Sequence, residues 1–138
     1  MPHKLLDAAT PADSRETERF IALVADKLTA TDRLFRECLA SDVPFIQKSG
    51  EYIFDGGGKR MRPALLLLCA RLLDRDGEEE VTYAAVVELI HTATLIHDDI
   101  IDHSALRRGR KTINELWGNN LTVLLGDWLY TTAMKMAL

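Results

Sequence analysis

The chain has 138 residues, 47% of them hydrophobic and 28% charged, with a formal net charge of -4 at pH 7. That length and apolar content suit one helical or mixed domain and exclude a disordered or collagen-like chain; the acidic balance argues against a dedicated nucleic-acid binder. Cys38 and Cys69 form no disulfide framework and match no zinc spacing, no apolar run approaches the ~20 residues of a membrane span, and Met1 to Lys4 lacks a signal peptide's apolar core, so a cytoplasmic address is expected.

Thr10-Pro11-Ala12-Asp13 reads as a helix start, with a Thr cap and Pro at the first helical position. Residues 1–12 are expected to be flexible. Phe20, Leu23, Val24, Leu28, Leu34 and Phe35 then recur at helical steps, predicting one amphipathic helix to about Leu39. Ser41-Asp42-Val43-Pro44 stops it and starts a second helix, which carries Phe45, Ile46, Tyr52, Ile53 and Phe54 and is closed by Gly56-Gly57-Gly58. The third, from about Arg60 to Asp74, is apolar almost all round, which predicts burial. After the polar loop Arg75–Glu80, a fourth helix is predicted from about Thr82 to Asp102. Segment 103–120 reads as loop with a short helical piece near Ile113–Trp117. A fifth helix, Leu121 to Leu138, is still periodic at its last residue. No stretch alternates as a strand, so the fold class is all-α, with 1–138 as a single helical domain.

The fourth helix carries the most informative residues. At about 100° per residue, Glu88, His91, Leu95, Asp98 and Asp102 fall within roughly 80° of arc. Asp98 and Asp102 repel one another at a spacing of four, near a helix C-terminus that disfavours anions. Local stability gives no reason to place them there, with Asp99 between; a bound Mg²⁺ does, since it takes carboxylate oxygens and is completed by substrate phosphates. Two basic motifs complement them. Gly57-Gly58-Lys59-Arg60-Met61-Arg62-Pro63 joins exposed amides to cations at a helix start, without the spacing of a Walker loop. Arg107-Arg108-Gly109-Arg110-Lys111 follows the acids. Together they describe a cavity for diphosphates. Solvated helix ends and simple salt-bridged loops are the alternatives for each motif alone.

These motifs, with Thr112 and Leu124-Leu125-Gly126-Asp127-Trp128-Leu129-Tyr130, resemble the trans-isoprenyl diphosphate synthases, or polyprenyl synthetases, from about Phe54 onward. The resemblance implies the N-terminal half of an isoprenoid-synthase-type helical bundle around a central cavity. It implies condensation of isopentenyl diphosphate with an allylic diphosphate, with Mg²⁺ as cofactor and a homodimer or other oligomer as the assembly. By motif position, Asp98 and Asp102 correspond to Mg²⁺ ligands with Asp99 as support. Arg107 corresponds to the allylic diphosphate contact. Lys59, Arg62, His91 and Arg108 correspond to the isopentenyl diphosphate site. In this family the residues four and five before the first Asp help set tunnel depth; here they are Thr94 and Ala93, both small, which favours long-chain products. Thr94 lies about 40° from Asp98 on the helix wheel and Ala93 about 140° away, so Ala93 is expected to point partly to a neighbouring helix. No second aspartate-rich motif is present: after Asp102 the acids are Glu115 and Asp127. The chain is therefore expected to be part of a synthase, inactive alone and prone to self-associate. Two other readings are a non-catalytic subunit that pairs with a complete synthase, and an HD-type metal phosphohydrolase built on His91, His97 and Asp98.

Overall fold

The structure, a computed structural model, describes residues 11–138. Its elements in chain order are α1 (Pro11–Ala22), α2 (Ala25–Cys38), α3 (Pro44–Asp55), α4 (Met61–Leu72), α5 (Glu79–Ile101), β1 (Leu106–Arg107), β2 (Arg110–Lys111), α6 (Ile113–Trp117) and α7 (Asn119–Ala137). The all-α class holds. Thr10 and the rest of residues 1–10, expected as a cap and a flexible lead, lie outside the described residues; Pro11 and Ala12 open α1.

Helix α5 is the axis of the fold, and α2, α4 and α7 pack on it. Its small residues let neighbours come close: Ala84 and Ala85 are fully buried and Ala93 nearly so. One core cluster joins Phe35 and Leu39 of α2, Leu89 and Ile96 of α5, Ile113 of α6, and Leu125, Leu129 and Ala133 of α7. A second joins Val24, Leu67 and Ala84. Burying such side chains contributes about 1.5–3 kcal/mol each, enough to fix α5 against three partners. No described helix is long and apolar enough to cross a membrane.

Three expectations are corrected. The first helix is two. Leu23 and Val24 donate back to Phe20 and Ile21 over three residues, at 3.2 and 3.1 Å, and α2 restarts at Ala25. Arg71 Nη1 captures the Leu23 carbonyl freed by the break, at 2.7 Å, and Val24 turns inward against Leu67 and Ala84. The third predicted helix, α4, is not buried all round. Pro63, Ala64 and Leu67 face the core, whereas Leu65 is 64% and Leu72 83% exposed. A helix packed along one side buries one stripe, whatever the rest of its sequence. Finally, the segment read as loop contains a hairpin, with Leu106 opposite Lys111 and Arg107 opposite Arg110. Its two turn residues, Arg108 and Gly109, have φ of 51° and 76°. Positive φ at both centres is the twist-matched turn for a two-residue hairpin, and Gly109 takes it without a Cβ penalty.

Candidate functional site

A cavity of about 560 Å³ opens between the end of α3, the glycine loop, the middle of α5 and the hairpin. The glycine loop is shaped by local constraints. Gly57 has φ of 63°, a region that side chains with a Cβ rarely adopt. A Cβ on Gly58 would stand 3.0 Å from Arg60 Nη1, so that glycine leaves room for a guanidinium. Arg60 itself is left-handed, with φ of 50°, and caps α4. It donates from Nε to Asp32 Oδ1 at 2.6 Å and from Nη1 to Glu88 Oε1 at 3.1 Å. Its guanidinium carbon lies 5.2 and 5.7 Å from the ring centroids of Phe35 and Phe54. On either side of it, Lys59 and Arg62 line the cavity and make no ion pair among the described residues.

The hairpin is fastened to this loop. Arg108 Nη1 donates to the Gly57 carbonyl at 3.0 Å, and Arg110 Nη1 to the Tyr52 carbonyl at 3.2 Å. Arg110 also stacks 4.0 Å over the Tyr52 ring, while the Tyr52 hydroxyl donates to the Lys111 carbonyl at 2.8 Å. Thr112 closes the base by donating to the Ser104 carbonyl at 2.7 Å. Arg107 and Arg108 thereby join Lys59, Arg62 and His91 along one wall.

The acids at the end of α5 divide by exposure. Asp99 lines the cavity and is 5% exposed; Arg107 grips it from Nε and Nη2, at 2.8 to 3.1 Å. These hydrogen bonds hold the Arg107 pKa above its ordinary value against partial desolvation, and the charges of Asp98 and Asp102 add to the shift. Asp98 and Asp102 are exposed, do not line the cavity, and make no ion pair among the described residues. Asp102 is the C-cap residue, past the last turn of α5, and the charges of both exposed acids still reach Arg107. Among the described residues, no three His, Cys, Asp or Glu side chains gather to hold a metal. Two uncompensated carboxylates one helical turn apart nonetheless fit Mg²⁺, which uses one or two carboxylates and leaves its remaining positions to water and phosphate.

His91 lines the cavity, and its pKa is lowered by burial and then by the charge of Arg62, with Glu88 opposing. The second imidazole of α5 lies elsewhere. His97 packs on α7, where its Nε2 lies 3.2 Å from the Val123 carbonyl and 3.5 Å from Asp127 Oδ1. A Cβ on Gly126 would overlap the His97 ring. The HD-type grouping of His91, His97 and Asp98 is therefore not assembled. Ala93 and Thr94 also lie off the cavity. Ala93 is in the core cluster with α7 residues; Thr94 is exposed and donates to the His91 carbonyl at 2.7 Å. Sequence reasoning missed Glu88 and Arg110 as wall residues, and it gave Arg60 no role separate from Lys59 and Arg62. The signals were present: an acid one turn before His91, and four cations in five positions.

The polyprenyl synthetase family profile matches residues 43–138. The chain is 45% identical over 119 residues to the octaprenyl diphosphate synthase of Escherichia coli (strain K12), covering 86% of this chain and 37% of that protein. It is 51% identical over 98 residues to the octaprenyl diphosphate synthase of Haemophilus influenzae, covering 71% of this chain and 30% of that protein. Among solved structures it superposes on a polyprenyl synthase from Caulobacter crescentus, complexed with calcium and isoprenyl diphosphate, with a TM-score of 0.83 and 38% identity over 87% of this chain and 37% of that one. A decaprenyl diphosphate synthase from Rhodobacter capsulatus matches with a TM-score of 0.80 and 40% identity, over 86% and 37%. The chain thus spans 30–37% of the length of these relatives. The matched region holds the glycine loop, α5 and the hairpin, and with them all of the cavity lining but Phe35: the chain belongs to the polyprenyl synthetase family.

Proposed function

We propose that this chain is part of a long-chain trans-polyprenyl diphosphate synthase and that its cavity receives diphosphates. The observation that carries the reading is the meeting of Lys59, Arg62, His91 and Arg108, from three separate segments, on one cavity in which Lys59 and Arg62 are unneutralised. A chain of net charge -4 that brings unpaired cations together in one cavity selects an anion. Lys59, Arg62 and Arg108 bind the diphosphate of isopentenyl diphosphate, and His91, kept neutral, donates a hydrogen bond to it. Arg107, oriented by Asp99, contacts the allylic diphosphate. Asp98 and Asp102 hold Mg²⁺, with Asp99 in support. Bound there, the ion supplies charge neutralisation for a leaving diphosphate. Phe35, Ile53, Leu95 and Ile96 line the apolar side of the cavity and keep water from the reacting carbons.

The long-chain reading is supported by relatives named for octaprenyl, nonaprenyl and solanesyl products. Ala93 and Thr94 enter it only through the family pattern, as contributors to chain length in the complete enzyme. A cytoplasmic homodimer is the assembly we assign. The exposed Leu65 and Leu72 of α4 and Leu124 and Tyr130 of α7 are the apolar surface that association would cover.

Calorimetric titration of the 138-residue chain with isopentenyl diphosphate tests the cavity: binding is expected, and Lys59→Ala should weaken it by about tenfold or more. In the complete synthase, Asp98→Ala should lower turnover by about a hundredfold or more with folding intact. Absence of binding by the native chain, or near-normal turnover of Asp98→Ala, would overturn the respective assignment. The 138-residue chain alone is expected to give no prenyl transfer.

A further inference from the structure

Arg60 stands in a run of cations yet turns into its own protein. Its side chain is 17% exposed, while its partners Glu88 and Asp32 are 10% and 39% exposed. Glu88 lies in the cavity wall on α5, one turn before His91, and its charge reaches that imidazole. An unpaired carboxylate there would oppose any anion in the cavity, since like charges in a poorly hydrated site repel strongly. Three features hold the guanidinium against Glu88. Asp32 fixes it from behind at 2.6 Å, the Phe35 and Phe54 rings flank it, and Gly58 leaves room for Nη1.

We propose that Arg60 is a positioning residue of the anion site, acting through Glu88: it cancels the wall carboxylate so that Lys59, Arg62 and Arg108 present net positive charge to a bound diphosphate. This inference rests on the diphosphate reading of the cavity. It separates the neighbouring cations by role, with Lys59 and Arg62 for the ligand and Arg60 for the protein. The left-handed backbone of Arg60 between them accomplishes that separation, with φ of 50°.

The test is a charge cycle on the 138-residue chain, read as the Kd for inorganic pyrophosphate by calorimetry and as the His91 titration by NMR. Arg60→Gln should weaken binding by about tenfold or more and raise the His91 pKa, because Glu88 is then uncompensated among Arg62, Arg107 and Arg108. Glu88→Gln should bind more tightly than the native chain. The double substitution Arg60→Gln/Glu88→Gln should recover most of the lost affinity and return the His91 titration toward its native position. A scaffold role alone predicts no recovery, so a double variant as weak as Arg60→Gln overturns the proposal; so does Arg60→Gln binding like the native chain. If Arg60→Gln does not fold, Glu88→Gln carries the test, and an unchanged Kd refutes the inference. If the native chain binds no pyrophosphate and Lys59→Ala changes nothing, the diphosphate reading fails and takes this inference with it.

Discussion

Arg107 holds Asp99 with one edge of its guanidinium, Nη2 to Oδ1 at 2.8 Å and Nε to Oδ1 and Oδ2 at 3.0 and 3.1 Å. The pair links the last turn of α5 to the first strand of the hairpin. The acid that the sequence presents as a supporting member of its motif is thus the one that anchors the cavity's edge.

Removing one member of this pair strands the other. Arg107→Ala leaves the Asp99 carboxylate buried without its counter-ion, and the expected loss is about 2–3 kcal/mol of stability. Urea unfolding checks it. The double variant Asp99→Asn/Arg107→Gln leaves no buried charge and should lose clearly less. A double variant as unstable as Arg107→Ala would mean that the hairpin depends on the pair's shape and not on its charge balance.

His91 supplies a pH dependence with a definite sign. Burial and Arg62 lower its pKa from the ordinary value near ~6.5. Between that ordinary value and the lowered one, the unfolded chain binds more protons than the folded chain. Stability therefore falls as pH is lowered through that window and is unaffected by His91 above it. A bound diphosphate favours imidazolium, so pyrophosphate should move the His91 titration upward. NMR of the imidazole with and without pyrophosphate reads this directly, and an unmoved titration under saturating ligand would place the anion away from His91.

The contact of α5 with α7 depends on a missing methyl. Gly126→Ala drives a Cβ into the His97 ring and should cost about 1–3 kcal/mol, read as a lowered Tm. In a His97→Ala background the same change should be neutral or stabilising, because Ala is a better helix former than Gly by about 1 kcal/mol. Equal costs in both backgrounds would show that the strain lies elsewhere.

The helices were legible because each has an apolar stripe, a stop and a start, as Pro44 and Gly56 do for α3. The break at Leu23–Val24 was not, because the stripe continues through it and the residue that caps its free carbonyl, Arg71, is 48 residues away. The hairpin escaped because two residues per strand cannot express an alternating pattern. At the cavity, Lys59, Arg62, His91 and Arg108, which the family motif groups together, do line one space. The motif did not show that Asp99 would be the buried acid, because its partner Arg107 is brought to it by the hairpin. Nor could it tell Arg60 from its neighbours, because Asp32 and Glu88 meet it only in the folded chain.

The hydrogen bonds that fasten the hairpin to the glycine loop and to α3 join residues 51, 58 and 59 positions apart. Helices form in about a microsecond from local contacts, whereas such distant closures wait until both partners are already docked. The cavity is therefore among the last features to appear as the chain folds. A ligand that recognises only the finished cavity leaves the folding rate unchanged and acts on the reverse step, so pyrophosphate should slow unfolding alone.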